Sequence, residues 1–92
     1  MINIQFITVA GCYHCAKAKE IFAELQPQYP EMKIEEIDAT TEKGMELVSK
    51  YGIFQSPGII INGELFSTGG LHKEKFIAKL EELKGREKFT VH

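Results

Sequence analysis

The chain has 92 residues, 43% of them hydrophobic and 26% charged, and a formal net charge of −2. That length supports one domain with a buried core and is short for two. Lys and Arg number 11 against 13 Asp and Glu, with no basic block, so nucleic acid and anionic membrane are not expected partners: both require clustered cations.

Met1 leads directly into Ile2-Asn3-Ile4-Gln5-Phe6, with no basic n-region and no apolar run near the length of a bilayer, and a cytoplasmic location is expected. Ile2, Ile4 and Phe6 alternate with Asn3 and Gln5, after which Ile7, Thr8 and Val9 make the run nearly continuous. Such a strand starts half-buried and becomes buried on both faces, which predicts a place in the middle of a sheet. Gly11-Cys12-Tyr13-His14-Cys15 then sets the two cysteines of the protein three positions apart, between this strand and a helical pattern. At the start of a helix the Cα atoms of residues i and i+3 lie within the roughly 4.4 to 6.8 Å that disulfide geometry accepts. The orphan N–H groups and positive dipole end there favour a negative charge, which marks Cys12 as a candidate low-pKa thiolate. In a reducing compartment a CxxC pair points to redox or metal chemistry, not to a structural bridge.

From Cys15 onward Ala18, Phe22 and Leu25 fall at helical spacing with Ile21 beside them, Lys17, Lys19, Glu20 and Glu24 take the other side, and Pro27 ends the helix. Gln26 to Pro30 reads as a loop and Met32 to Asp38 as a second strand, completing a right-handed βαβ unit with parallel strands. Thr40 or Thr41 can cap a second helix whose apolar side is Met45, Leu47, Val48 and Tyr51, with Gly44 as a weak point and Gly52 as the stop. Ser56-Pro57-Gly58 precedes a strand at Ile59-Ile60-Ile61, and Asn62-Gly63 predicts a hairpin to an antiparallel strand at Leu65-Phe66-Ser67. Thr68-Gly69-Gly70 turns the chain into a last helix with Phe76, Ile77, Leu80 and Leu83 on one face and Gly85 at its end. The expectation is a single α/β domain over residues 1–85, in the order βαβ, α, ββα, with a mixed four-stranded sheet and helices on both faces; 86–92 form a short tail without an assigned element.

The order and spacing of Cys12-Tyr13-His14-Cys15, Tyr51-Gly52-Ile53, Ser56-Pro57 and Asn62-Gly63-Glu64 resemble the thioredoxin and glutaredoxin superfamily. The likeness runs from Ile2 to about Leu83, and the compact, glutaredoxin-sized form is the better match. It implies that Cys12 is the nucleophilic thiol and Cys15 the resolving one, so that Cys12 attacks a protein disulfide and Cys15 then displaces the reduced substrate. The helical register agrees, because Cys15 shares the side of Ala18, Phe22 and Leu25. Under the same resemblance His14 tunes the thiolate, Tyr13 shapes the entrance of the site, and Pro57 takes a cis peptide bond that presents the backbone of Ser56 to an extended substrate. Gly69-Gly70 resembles the glutaredoxin turn at which helix N–H groups receive a glutathione carboxylate. The chain departs from that pattern in having Leu71-His72-Lys73 after the glycines and Val9 three positions before the first cysteine.

The implied activity is thiol–disulfide exchange on protein disulfides, with no bound cofactor beyond the redox-active Cys12–Cys15 pair, no metal, and electrons from a thioredoxin-reductase-type protein or from glutathione; a monomer is expected. A glutathione-dependent glutaredoxin is the alternative inside the superfamily. Outside it stands a soft-metal chaperone that uses the CxxC thiolates. Ala10, where such chaperones often carry methionine, and the Ser56-Pro57 element speak against the chaperone, and Ala16 after the second cysteine speaks against a c-type haem site.

Overall fold

A computed structural model of the chain describes residues 1–89, the last four of these by their backbone. The elements are β1 (Ile2–Thr8), α1 (Tyr13–Leu25), β2 (Met32–Asp38), α2 (Glu42–Tyr51), β3 (Gly58–Ile61), β4 (Glu64–Thr68) and α3 (Lys73–Phe89). They form one sheet of order β2-β1-β3-β4, in which β1 is parallel to β2 and antiparallel to β3, and β3 is antiparallel to β4. This is the mixed four-stranded sheet of the expected βαβ-α-ββα order. β1 lies inside it, as its two-sided apolar run requires.

The pleat sends the apolar residues of β1 and β3 to two separate cores. Ile2, Ile4, Phe6, Ile59 and Ile61 meet Ala18, Phe22 and Leu25 of α1 and Phe76 and Leu80 of α3. On the opposite face Ile7, Ile37 and Ile60 meet Ile53, with Leu47, Val48 and Tyr51 of α2 packed against them. The hairpin between β3 and β4 turns through Asn62 (φ 50°) and Gly63 (φ 81°), the pair of positive angles that Asn-Gly supplies most readily.

Of the two threonines, Thr41 caps α2: its Oγ1 accepts from the Gly44 N–H at 3.1 Å, while Thr40 donates its N–H and hydroxyl to the Asp38 carboxylate. Gly52 ends the helix in the left-handed conformation. Gly44, expected to weaken this helix, is required by it. A Cβ at that position would overlap the backbone carbonyl oxygen of Asp38, so the missing side chain lets α2 lie against the end of β2.

Two expectations are corrected, at Met45 and at the end of the last helix. Met45, placed on the apolar side of α2, is 57% exposed, because the small core is already closed by Leu47, Val48 and Tyr51. Tyr29 lies in a loop as expected, and there it is buried in the larger core and donates its hydroxyl to Glu81 of α3 at 2.5 Å. The last helix runs through Gly85 to Phe89, so the tail assigned to 86–92 is helical over 86–89. No proline follows Gly85, and Arg86, Glu87 and Lys88 are good helix formers, which lets the helix pass the glycine. Residues 90–92 lie outside the described residues.

Candidate active site

β1 ends in the middle of the sheet, and Val9, Ala10 and Gly11 carry the chain from its edge into α1. Cys12 is the N-cap of that helix. Its backbone is extended (φ −83°, ψ 115°) and its Sγ accepts a hydrogen bond from the Cys15 N–H at 3.0 Å. The sulfur thus takes the place that a serine or aspartate oxygen occupies at other helix starts. The Cα atoms of Cys12 and Cys15 are 5.2 Å apart and the two sulfurs are at disulfide-bonding distance. Burial separates their environments: Cys15 is 6% exposed within the larger core, whereas Cys12 is half-buried at its margin.

The loop between α2 and β3 faces this pair. The Ser56–Pro57 peptide is cis and Pro57 is fully buried. The loop is tied at both ends, by the Ile53 N–H donating to the Val48 carbonyl at 3.0 Å and by the Gly69 N–H donating to the Pro57 carbonyl at 2.9 Å. Ser56 thereby sits with its Oγ 3.5 Å from Cys12 Sγ, close enough for the hydroxyl to donate to sulfur. Two donors converge on the Cys12 sulfur, and hydrogen bonds of this kind favour a thiolate over a thiol.

Tyr13 is 68% exposed, and its ring meets the edge of the His14 ring at 5.5 Å and the Lys17 ammonium at 5.7 Å. His14 is exposed and turned to Tyr13; the groups that reach the Cys12 sulfur are the Cys15 N–H and the Ser56 hydroxyl. Lys19 is paired with Glu36 of β2 at 3.2 Å. A cleft of about 480 Å³ extends from Cys12 and Tyr13 past Cys15 to Lys19 and Glu36, with Phe6 and Thr8 on its wall.

Gly69 and Gly70 lie between β4 and α3, where Gly69 takes a φ of 80° and Ser67 Oγ donates to the Gly70 carbonyl at 3.0 Å. The Gly69 N–H is engaged by Pro57, and His72 Nδ1 accepts from the Lys75 N–H at 3.4 Å in the first turn of α3. This turn therefore braces the Pro57 loop. Sequence reading missed the Ser56 hydroxyl and the exposed Phe54 near it. Phe54, 94% exposed, stands two residues before Ser56. Its one sequence signal is an aromatic residue isolated between Gly52 and Pro57. Among the described residues no helix is long and apolar enough to cross a membrane, and no group of three or more His, Cys, Asp or Glu is placed to hold a metal ion.

Residues 2–82 match the family model described as Thioredoxin domain. The thioredoxin of Methanocaldococcus jannaschii is 30% identical over 84 residues, spanning 88% of this chain and 94% of that protein. Among solved structures, a thioredoxin-like protein from Clostridium perfringens shares the fold with a TM-score of 0.77 at 16% identity, over 90% of this chain and 71% of that one. Oxidised thioredoxin O2 from Arabidopsis thaliana gives 0.71 at 17% identity, over 90% and 75%. The family match begins in β1, takes in both cysteines and the loop that faces them, and ends in α3; the chain belongs to the thioredoxin family.

Proposed function

We propose that this protein is a thiol–disulfide oxidoreductase that exchanges its Cys12–Cys15 pair with protein disulfides. The asymmetry of the two sulfurs carries the reading: one is half-exposed and held by two hydrogen-bond donors, the other buried behind it at bonding distance. In the reduced protein the Cys12 thiolate attacks one sulfur of a substrate disulfide, and the other substrate sulfur leaves as a thiolate. Cys15 then attacks Cys12 Sγ, the bond to the substrate breaks, and two electrons have passed from the dithiol to the substrate. Extended polypeptide is the favoured substrate form, because the backbone of Ser56 lies beside the sulfur, where it can pair with a strand. The exposed rings of Tyr13 and Phe54 offer apolar contact to the same polypeptide.

The exchange needs no bound cofactor and a single copy of the chain suffices; a reducing cytoplasm is the compartment that suits it. A thioredoxin-reductase-type protein is the electron donor that fits the 30% identical thioredoxin. With a protein disulfide as substrate, NADPH consumption should follow addition of thioredoxin reductase and not of glutathione with glutathione reductase. Turnover with the glutathione couple alone would move the protein to the glutaredoxin side. Cys15→Ser should accumulate a mixed disulfide through Cys12, seen by mass spectrometry, and Cys12→Ser should trap none. Equal trapping by the two variants would remove the assigned roles.

A further inference from the structure

Carboxylates outnumber cations in this chain, 13 Asp and Glu against 11 Lys and Arg, yet they are kept from the loops around Cys12. Residues 9–13, which lead into α1, residues 52–58, which carry the cis peptide, and residues 68–72, which brace that loop, contain no Asp or Glu. The first turn of α1 has no acidic residue either, and the first carboxylate of that helix is Glu20, beyond two lysines. One carboxylate reaches the cleft beside Cys12, that of Glu36, and Lys19 pairs with it at 3.2 Å.

Lys17 has the opposite character. It stands one helical turn after Tyr13, and its ammonium lies over the Tyr13 ring, 5.7 Å from the centroid. Among the described residues Lys17 forms no ion pair, whereas Lys19, Lys43, Lys73 and Lys79 are each paired with a glutamate. Tyr13 follows Cys12 in the chain, is 68% exposed and lines the cleft with it. The ring thus holds an uncompensated cation at the entrance to the sulfur. His14, edge-on to the same ring, carries a positive charge or none, and the N-terminus of α1 adds its positive dipole end at Cys12. A polypeptide that covers this rim takes water from the Lys17 ammonium, and an acidic side chain within reach gives it a partner.

Resting on the oxidoreductase reading, we propose that Lys17, held over Tyr13, selects disulfides of polypeptides that carry Asp or Glu beside the reactive cysteine. The chemistry recognised is a carboxylate close to a disulfide. The exposed rings of Tyr13 and Phe54 favour a polypeptide as its source, since a small anion such as oxidised glutathione would leave them uncovered. Lys17 takes no part in the bond exchange. It speeds encounter with acidic partners and stabilises the approach complex with them, and it does the reverse for basic ones. The net charge of −2 opposes this attraction from a distance, so the preference acts at short range.

The test is the second-order rate of reaction between the fully reduced protein and three synthetic peptide disulfides, identical except for glutamate, glutamine or lysine on either side of the cysteine. The readout is the ratio of the glutamate-peptide rate to the glutamine-peptide rate, in which any change in the thiolate itself cancels. Wild type should react fastest with the glutamate peptide and slowest with the lysine peptide. Lys17→Gln should lower the ratio by about two- to fivefold, the size expected of one exposed ion pair, and Lys17→Glu should bring it below one. Raising the salt from about 20 mM to about 0.5 M should move the wild-type ratio toward that of Lys17→Gln. Lys50→Gln is the control. It removes the same charge from the matching Lys50–Tyr51 pair, whose tyrosine donates to the Gly63 carbonyl at the hairpin beside the start of β1, and it should keep the wild-type ratio. A Lys17→Gln protein with the wild-type ratio overturns the proposal, and so does a Lys50→Gln protein lowered as much, since net charge would then decide. Oxidised glutathione reacting faster than the glutamate peptide overturns it as well, in favour of a site for that small anion. Absence of reaction with all three peptides would instead remove the dithiol reading on which the proposal rests.

Discussion

The two faces of the sheet are built to different depths, and the two halves of the candidate site hang on different faces. Beneath α1 and α3, Phe22 meets Phe6 and Phe76 edge to face, with ring centroids 5.0 and 5.4 Å apart, inside an aliphatic shell that also holds Cys15. Beneath α2 the core is Ile7, Ile37, Ile53 and Ile60, edged by partly buried side chains. The dithiol helix is thus anchored in the deep core, which hides one sulfur and places the other at the margin. The loop from Ile53 to Pro57, where an extended substrate would dock, rests on the shallow core. Less buried apolar area means a lower cost of local opening, so this side is the one free to adjust to different polypeptides.

The strongest way to break this comparison is Phe22→Ala, which removes the ring that joins the two other phenylalanines. It should cost about 3 to 5 kcal/mol in denaturant unfolding, the usual loss for an aromatic truncation in a packed core. A loss below about 1 kcal/mol would show that the deep core is not deep. On the other face Gly44→Ala should destabilise by about 1 to 3 kcal/mol through overlap with the Asp38 carbonyl, although helix propensity alone would favour alanine by about 1 kcal/mol. A rise in thermal midpoint would mean that α2 can shift away from β2 without loss.

Tyr29→Phe sharpens the comparison at the end of the deep core, where the hydroxyl donates to Glu81. Glu81 is exposed, so the loss should fall near the low end for bonds to charged groups, about 1.5 kcal/mol. The hydrogen bond to Glu81, burial and the Glu81 charge all raise the Tyr29 pKa above its ordinary value of 10.0. The sign follows: this contribution is complete below the unfolded-state value and is lost as pH rises through the higher folded-state value. The stability gap between wild type and Tyr29→Phe should therefore narrow on the alkaline side, and a gap constant with pH would dissociate it from the hydroxyl. The smallest change is Ile53→Val, about 1 kcal/mol in stability. Ile53 packs over Gly58, next to Pro57, so a shallow and adjustable substrate side predicts a change in KM for protein disulfides with the rate at which Cys15 resolves the mixed disulfide untouched.

Much of the site is legible in the residue order because its signals are local. Cys12 and Cys15 are three positions apart at a strand-to-helix junction, and that spacing alone brings the sulfurs together. Asn62-Gly63 and Gly52 announce their turns through the backbone angles they permit. The misreadings at Met45 and Gly44 share one cause: the state of each residue is set by partners elsewhere in the chain, which local pattern does not register. Met45 has helical spacing with Val48 but no core left to enter, and Gly44 looks costly until Asp38 is seen against it.

Residue order by itself determined the element sequence, the central position of β1, the pairing of the two thiols and which of them is buried, since periods of two and of 3.6 residues and the conformational limits of Gly, Asn and Pro act within a few positions. Tertiary structure alone decided that the Ser56 hydroxyl reaches the Cys12 sulfur across 44 positions of chain, that His14 turns to Tyr13, and that Glu36 stands beside Phe6 under the dithiol helix. Those juxtapositions follow from strand register and from how α1, α2 and their loops settle on the two cores. They are sums over many weak contacts between distant residues, so no short stretch of sequence contains them.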